Sequence, residues 1–459
     1  MRAVSRFDKM STSSVFTTAN KPAHPSGQVA CEAFAHLLKH YGQKSTFAIP
    51  LTRVSDEERA SPQTLGMRSL RVIDERRMLI RFLLAVGALL MSSFSAASGD
   101  VSTPAVPTPS MSTPSVPSVP SKPRIPLAVI GDSDSQGFHD LYPAGLKEMP
   151  RGGKYHDTTF QWGEVLARLR GNEVDLGDTA VLGMGGRLAR AVEVVGLTRA
   201  AESLGWEARA PKKRDNRFNF AYSGNGCADL FGGWSRQVPR LIRLMDGEPA
   251  RWRDGVVVLK IGNNDFANDI PNLDRLARDP ASPEVRQKMD FCLGEIRRAV
   301  AAIAQKHPQT RIVLGGTFDN SRWDQYRDHW RDPQSLANIS KGLDYFDDAL
   351  QRLAAADPRL AFFSDRRWFD ALWGPRDRDE LPNYRTLVLS PTVRVDNTSG
   401  DAPWNATLAD GHTGLVWNAK WSQALVELID TRWGLKITPI SDAELLQFVL
   451  ATGAFKNPR

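Results

Sequence analysis

Five short apolar runs, rich in Val, Ile and Leu, limit the fold of this chain more than any other feature. They are PLAVIG (126–131), FNFAYS (218–223), GVVVLKIG (255–262), RIVLGG (311–316) and RLAFFS (359–364). Strict apolar–polar alternation is missing from them, so they read as strands covered on both faces. Helical patterns fill the intervals. FQWGEVLARLRG (160–171) places Trp162, Val165, Leu166 and Leu169 on one side. In 284–307, Met289, Cys292, Leu293, Ile296, Val300 and Ile303 recur at three- and four-residue steps. Segments 335–356 and 415–433 read the same way. Alternating strand and helix predicts an α/β fold, a central parallel sheet between two helical layers. Reactive groups then belong at the carboxyl ends of the strands. Segment 172–214 fits neither pattern and reads as an insertion that shapes the pocket.

The net charge of +7 suggests an acidic partner, but its distribution removes most of that suggestion. Residues 1–97 carry 13 Lys+Arg against 7 Asp+Glu, and the remainder carries 46 against 45. A body so close to neutral lacks the basic face that a phosphate-backbone binder needs, and no nucleic-acid partner is expected. Arg76, Arg77 and Arg81 flank or enter the apolar run Phe82–Met91, followed by Ser95 and Ala97 at the −3 and −1 positions of a cleavage site. That is the form of a secretory signal peptide over 78–97. Met67 and Met78 each give it a normal start, which makes 1–77 either a disordered extension upstream of the true start or a cytoplasmic tail before an uncleaved anchor. Residues 98–124 repeat Pro among Ser, Thr and Val and read as an extended linker. The expected location is the periplasm or the exterior, with at most loose envelope association. Cys227 and Cys292 either pair there or stay as buried thiols.

Four short motifs carry candidate chemistry. GDSDS (131–135) ends the first run and presents Ser133, whose attack on a carbonyl would be favoured by the free N–H groups of a helix starting there. SGNG (223–226) ends the second run, and Gly224 can bring a backbone N–H close to an oxyanion. GNND (262–265) ends the third, where the Asn264 amide can donate to the same oxygen. DGH (410–412) precedes the last long helix, so that His412 can take the serine proton while Asp410 orients the ring. Each motif also has a plain reading: a turn, a glycine bend, a helix cap, a surface histidine.

Four such blocks in this order resemble the SGNH hydrolases, also called the GDSL esterase/lipase superfamily, over roughly 125–434. The resemblance implies a three-layer α/β/α sandwich of flavodoxin-like type over 125–436, with 437–459 as a C-terminal tail. It implies Ser133 as nucleophile and His412 as general base. The N–H groups of Ser133 and Gly224 and the Asn264 side chain become the oxyanion hole, and no cofactor or metal is needed. The usual Asp-x-x-His block is one residue shorter here, since Ala409 stands three before His412. Asp134 stands where leucine is typical, a change that matters little because that side chain need not be catalytic. The activity implied is hydrolysis of carboxylic esters, on acetylated envelope carbohydrate or on lipid esters. An O-acyltransferase and a catalytically silent binding protein are the alternatives. Trp234, Trp323, Trp330, Trp373 and Trp404 fall in expected loops; structural packing is the favoured reading for most of these rings, and any left exposed would stack on sugars; 321–333 reads as a lid or a solvated loop.

Overall fold

A computed structural model describes residues 123–140, 150–183, 212–233, 235–326, 328–377, 379 and 384–456. The expected extension, signal peptide and nearly all of the linker lie outside them, as does Trp234. No helix among the described residues is long and apolar enough to cross a membrane.

Chain order gives β1 (Ile125–Gly131), α1 (Trp162–Arg170), β2 (Val174–Asp175), β3 (Thr179–Leu182), β4 (Lys213–Asn216) and α2 (Gln237–Gly247). There follow β5 (Val256–Lys260), α3 (Ile270–Arg278), α4 (Pro283–Lys306), β6 (Arg311–Gly315), α5 (Pro333–Ala356), β7 (Leu360–Phe363) and α6 (Asp365–Trp373). The chain ends with β8 (Leu387–Val388), β9 (Arg394–Ser399), β10 (Asn405–Thr407), α7 (Leu415–Trp433) and α8 (Asp442–Ala451).

The main sheet has the order β2–β1–β5–β6–β7 and is parallel throughout. Its alternate residues enter opposite cores. Ala128, Ile130, Val257, Leu259, Ile312 and Leu314 face the layer of α2, α3, α4 and α5. Leu127, Val129, Val256, Val258 and Val313 face α1, α6, α7 and α8. Both faces are apolar, which is why the strands show no alternation in sequence. The expected α/β/α sandwich is the observed one. Its strand order reverses between β1 and β5, and that crevice is where open α/β sheets bind ligands.

Three expectations need correction. FNFAYS forms no regular strand, although it runs parallel beside β1: Val129 N–H donates to Phe218 O (3.0 Å) and Phe220 N–H to Val129 O (2.7 Å). Its ladder to β1 is incomplete because Gly131 N–H goes to Gln237 Oε1 (2.7 Å) instead of to this segment, although Tyr222 N–H still reaches Gly131 O (3.3 Å). Residues 437–459 are no loose tail. Ile437, Ile440, Leu445 and Val449 are buried in the α7 layer, and Arg170 grips the segment through Thr438 O, Pro439 O and Glu444. Segment 321–333 is solvated only in part: Trp323 and Trp330 are buried, whereas Gln325, Asp328, His329 and 331–333 are exposed. Trp373 is wholly buried as well, and Trp404 is half-buried against Tyr155, so these rings form core rather than an exposed platform. Segment 172–214, left unassigned above, carries β2 and the antiparallel β3–β4 pair.

Candidate active site

The serine loop is built from the end of β1. Gly131 lies so close to β5 that a Cβ there would stand 2.4 Å from Lys260 O. The Gln237 side chain clamps its backbone, accepting from Gly131 N–H (2.7 Å) and donating to Gly131 O (2.7 Å). Asp132 then turns the chain. Its Oδ1 accepts from Asp134 N–H (3.0 Å), and its carbonyl accepts from Ser135 and Gln136 N–H (both 3.1 Å). No helix starts at Ser133; the turn ends by Gln136, and α1 begins only at Trp162. The helix-dipole assistance expected for the serine is therefore absent. What the turn does supply is a half-buried Ser133 whose N–H and hydroxyl have no hydrogen-bond partner among the described residues.

The glycine loop sits on the neighbouring segment. Ser223 N–H donates to Gln136 Oε1 (2.6 Å), which ties it to the serine loop. Gly224 has φ +76°, is exposed, and its N–H has no partner among the described residues. A side chain there would meet nothing within 4 Å, so only the left-handed backbone favours glycine. Cys227 follows directly and is disulfide-bonded to Cys292 of α4, with Cα atoms 5.1 Å apart.

The asparagine block leaves β5 in a single wide turn, Asn263–Ala267. Asn264 is exposed and donates from Nδ2 to Asn225 O in the glycine loop (2.8 Å). Asp265 accepts from Cys227 N–H (3.0 Å). Serine, glycine and asparagine loops thus leave three neighbouring segments of one sheet. Adjacent strands lie about 4.8 Å apart, so the three loops share one rim.

The histidine block forms a tight loop after β10. Leu408 N–H donates to His412 O (2.7 Å), and Gly411 takes φ +82° to close it. This loop accommodates the missing residue. Asp410 folds back so that Oδ1 accepts from His412 N–H (3.0 Å) while Oδ2 lies 3.0 Å from His412 Nδ1. The Oδ2 contact is close but off the axis of the ring N–H, so it acts as a charge contact rather than a straight hydrogen bond. Burial would raise the Asp410 pKa, but the His412 contacts and the Arg151 charge outweigh it and hold the carboxyl below its usual range. Asp134, next to Ser133, and Thr413, next to His412, line one narrow cavity together with Lys260, Trp162, Trp323 and Trp417.

Sequence reasoning missed four residues that hold these loops. Gln237 is the clamp on Gly131. Asp134 is far from idle: its Oδ2 accepts from Lys260 Nζ (3.2 Å) and from Asn263 Nδ2, and its carbonyl accepts from Trp162 Nε1 (3.1 Å) and Gln161 Nε2. Lys260, buried in β5, also pairs with Asp365 Oδ2 (3.0 Å). Burial opposes both charges of the Asp134–Lys260 pair; the Lys260 charge holds Asp134 low, and Asp365 together with Asp134 holds Lys260 high. A lysine inside the apolar run GVVVLKIG was the available signal, because a buried ammonium requires a carboxylate. Arg151 is the fourth. Its guanidinium donates to Ser223 Oγ (3.0 Å) and Ser133 O (3.4 Å), and its Nε lies 3.7 Å from Asp410 Oδ2. It stands outside every motif, and no local pattern marks it.

Among the described residues, one trio of metal-type donors lies close together, Cys227, Asp265 and Cys292, within 4.8 Å of one another. Both sulfurs are committed to the disulfide, which leaves one carboxylate.

Residues 127–307 match the family model described as GDSL-like Lipase/Acylhydrolase. The match includes the serine, glycine and asparagine blocks and stops before the histidine block. No curated protein matches the sequence. Among solved structures, an extracellular lipase from Streptomyces rimosus is similar at 13% identity, with 54% of this chain and 83% of that one covered and a TM-score of 0.24. A family two carbohydrate esterase from Cellvibrio japonicus is similar at 16% identity, over 53% of this chain and 52% of that one, with a TM-score of 0.23. A putative GDSL-like lipase from Parabacteroides merdae ATCC 43184 is similar at 14% identity, over 69% and 98%, with a TM-score of 0.24.

Proposed function

From the premise that residues 127–307 belong to the GDSL-like lipase/acylhydrolase family, we propose that this chain is a serine esterase whose nucleophile is Ser133. The observation that carries the reading is the shared rim: the N–H groups of Ser133 and Gly224 have no partner among the described residues, and the loop of His412 borders the same cavity as the serine loop.

In this reading His412 takes the Ser133 proton as Oγ attacks an ester carbonyl. Asp410 holds the imidazole and favours its charged form. The oxyanion is received by Ser133 N–H, Gly224 N–H and the Asn264 amide, each lowering the barrier by about 3 kcal/mol. His412 then protonates the departing alcohol, and water repeats the cycle on the acyl-enzyme to release the acid. We extend the proposal to export. The Cys227–Cys292 disulfide supports an oxidising compartment. The burial of Trp323, Trp330 and Trp373 leaves these three rings no part in stacking on a sugar, and acetylated carbohydrate and lipid esters both remain as substrate classes.

Purified protein should be labelled by a fluorophosphonate probe and should hydrolyse p-nitrophenyl acetate. Ser133→Ala should lose both while keeping its melting temperature. Undiminished turnover in that variant would remove Ser133 from the chemistry. A panel of acetylated sugars and lipid esters, run with and without an alcohol acceptor, separates substrates and distinguishes hydrolysis from acyl transfer.

A further inference from the structure

Arg151 lies outside all four blocks, yet it touches three of the loops that carry them. Nη2 donates to Ser223 Oγ at 3.0 Å, in the glycine loop. Nη1 donates to Ser133 O at 3.4 Å, in the serine loop. Nε stands 3.7 Å from Asp410 Oδ2, the oxygen that also lies 3.0 Å from His412 Nδ1. The guanidinium is packed over the Phe138 ring, with Cζ 5.3 Å from the centroid, and only 12% of the side chain is exposed. Its own backbone is anchored, since His156 Nδ1 lies 2.9 Å from Arg151 O. Ser223 in turn donates from N–H to Gln136 Oε1, so the arginine closes a ring of contacts around the serine turn.

We propose that Arg151 is a positioning residue for the esterase reaction, setting the distance between the nucleophile, the oxyanion loop and the Asp410–His412 pair. The inference rests on the ester-hydrolase reading and deepens it. Only a planar fork with several donors reaches three acceptors on three loops at once. A lysine offers one point charge on a flexible stem and would satisfy one or two of them. The guanidinium also shares the Asp410 oxygen nearest the imidazole. Without it Asp410 is held only within its own loop by His412, and the Asp410–His412 pair loses its tie to the serine and glycine loops. Because reaction rate depends steeply on such geometry, the loss should fall on kcat rather than on substrate affinity.

The test compares wild type, Arg151→Ala and Arg151→Lys on p-nitrophenyl acetate, with melting temperatures measured alongside and guanidinium chloride added at low, non-denaturing concentration. Arg151→Ala should lose about tenfold or more in kcat with KM nearly unchanged. Added guanidinium should restore part of the loss in that variant and none in wild type. Arg151→Lys should fall between the two without reaching wild-type kcat. Unchanged kcat in Arg151→Ala overturns the inference. So does a loss that tracks a lowered melting temperature and resists guanidinium, because that is the behaviour of a structural strut. Wild-type protein that is neither labelled by fluorophosphonate nor active on any ester overturns the esterase reading, and the inference falls with it.

Discussion

Asp132 is almost wholly buried, and its Oδ2 has no hydrogen-bond partner. Burial, reinforced by the nearby Asp134 charge and opposed by Lys260, pushes its pKa from 3.8 up to about 7. The folded protein therefore keeps a proton that the unfolded chain releases at lower pH. The stability this contributes is complete below the unfolded value and is lost as pH rises through about 7. Asp132→Asn stays neutral throughout, so the difference in melting temperature between wild type and variant should change across about pH 4 to 7. A constant difference over that range would contradict the assignment. Asp134 makes a second residue-scale case. Removing one partner of a buried pair strands the other charge, at a cost of about 3–5 kcal/mol. Asp134→Ala should lose stability on that order in urea denaturation, softened because Asp365 still faces Lys260. A loss near zero would mean that the pair does not hold the serine loop. Neither role was visible from the motif, because a motif gives spacing along the chain and says nothing about which side chains face inward.

Strands and helices were far more legible than loops. β1, β5, β6 and β7 each fall within or at the bounds of a run read from sequence, and α1, α4, α5 and α7 lie where apolar periodicity put them. Burial on one or two faces leaves a repeating pattern in the residues, and loops leave none. FNFAYS shows the limit, since its composition is that of a strand while the Gln237 side chain takes the Gly131 N–H that a ladder would use. The candidate site divides the same way. Ser133, Gly224, Asn264 and His412 could be proposed because they sit in short motifs at element ends. Arg151 and Gln237 could not, because their meaning comes from what packs against them. The glycine loop is fixed at the element scale by the Cys227–Cys292 bridge to α4, which spans 65 residues of sequence. Replacing both cysteines by alanine should cost about 2–4 kcal/mol, measured by chemical denaturation. Free-thiol titration of the unfolded, unreduced protein should count Cys227 and Cys292 as blocked. At the end of β1, Gly131→Ala forces a methyl group toward Lys260 O, which must move β1 off β5. That variant should lower the melting temperature and esterase turnover together, whereas Gly131 variants with normal turnover would show the contact to be slack.

At the scale of the whole folded body, the C-terminal segment is part of the structure it follows. Leu445 and Val449 are fully buried and Ile437 and Ile440 nearly so, each worth about 1.5–3 kcal/mol of burial. Their sum is comparable with the 5–15 kcal/mol by which a typical domain is stable. Truncation after residue 436 should therefore abolish the cooperative thermal transition, and a truncated protein that still melts sharply near the wild-type temperature would refute this. The loops of the candidate site also come from widely separated stretches, from the turn after β1 to the loop before α7, and Arg170 joins to Glu444 across 274 residues of sequence. On the proposed mechanism, a ribosome making this protein delivers the nucleophile early and its base almost three hundred codons later, so a nascent chain halted in between would carry Ser133 without His412 to activate it.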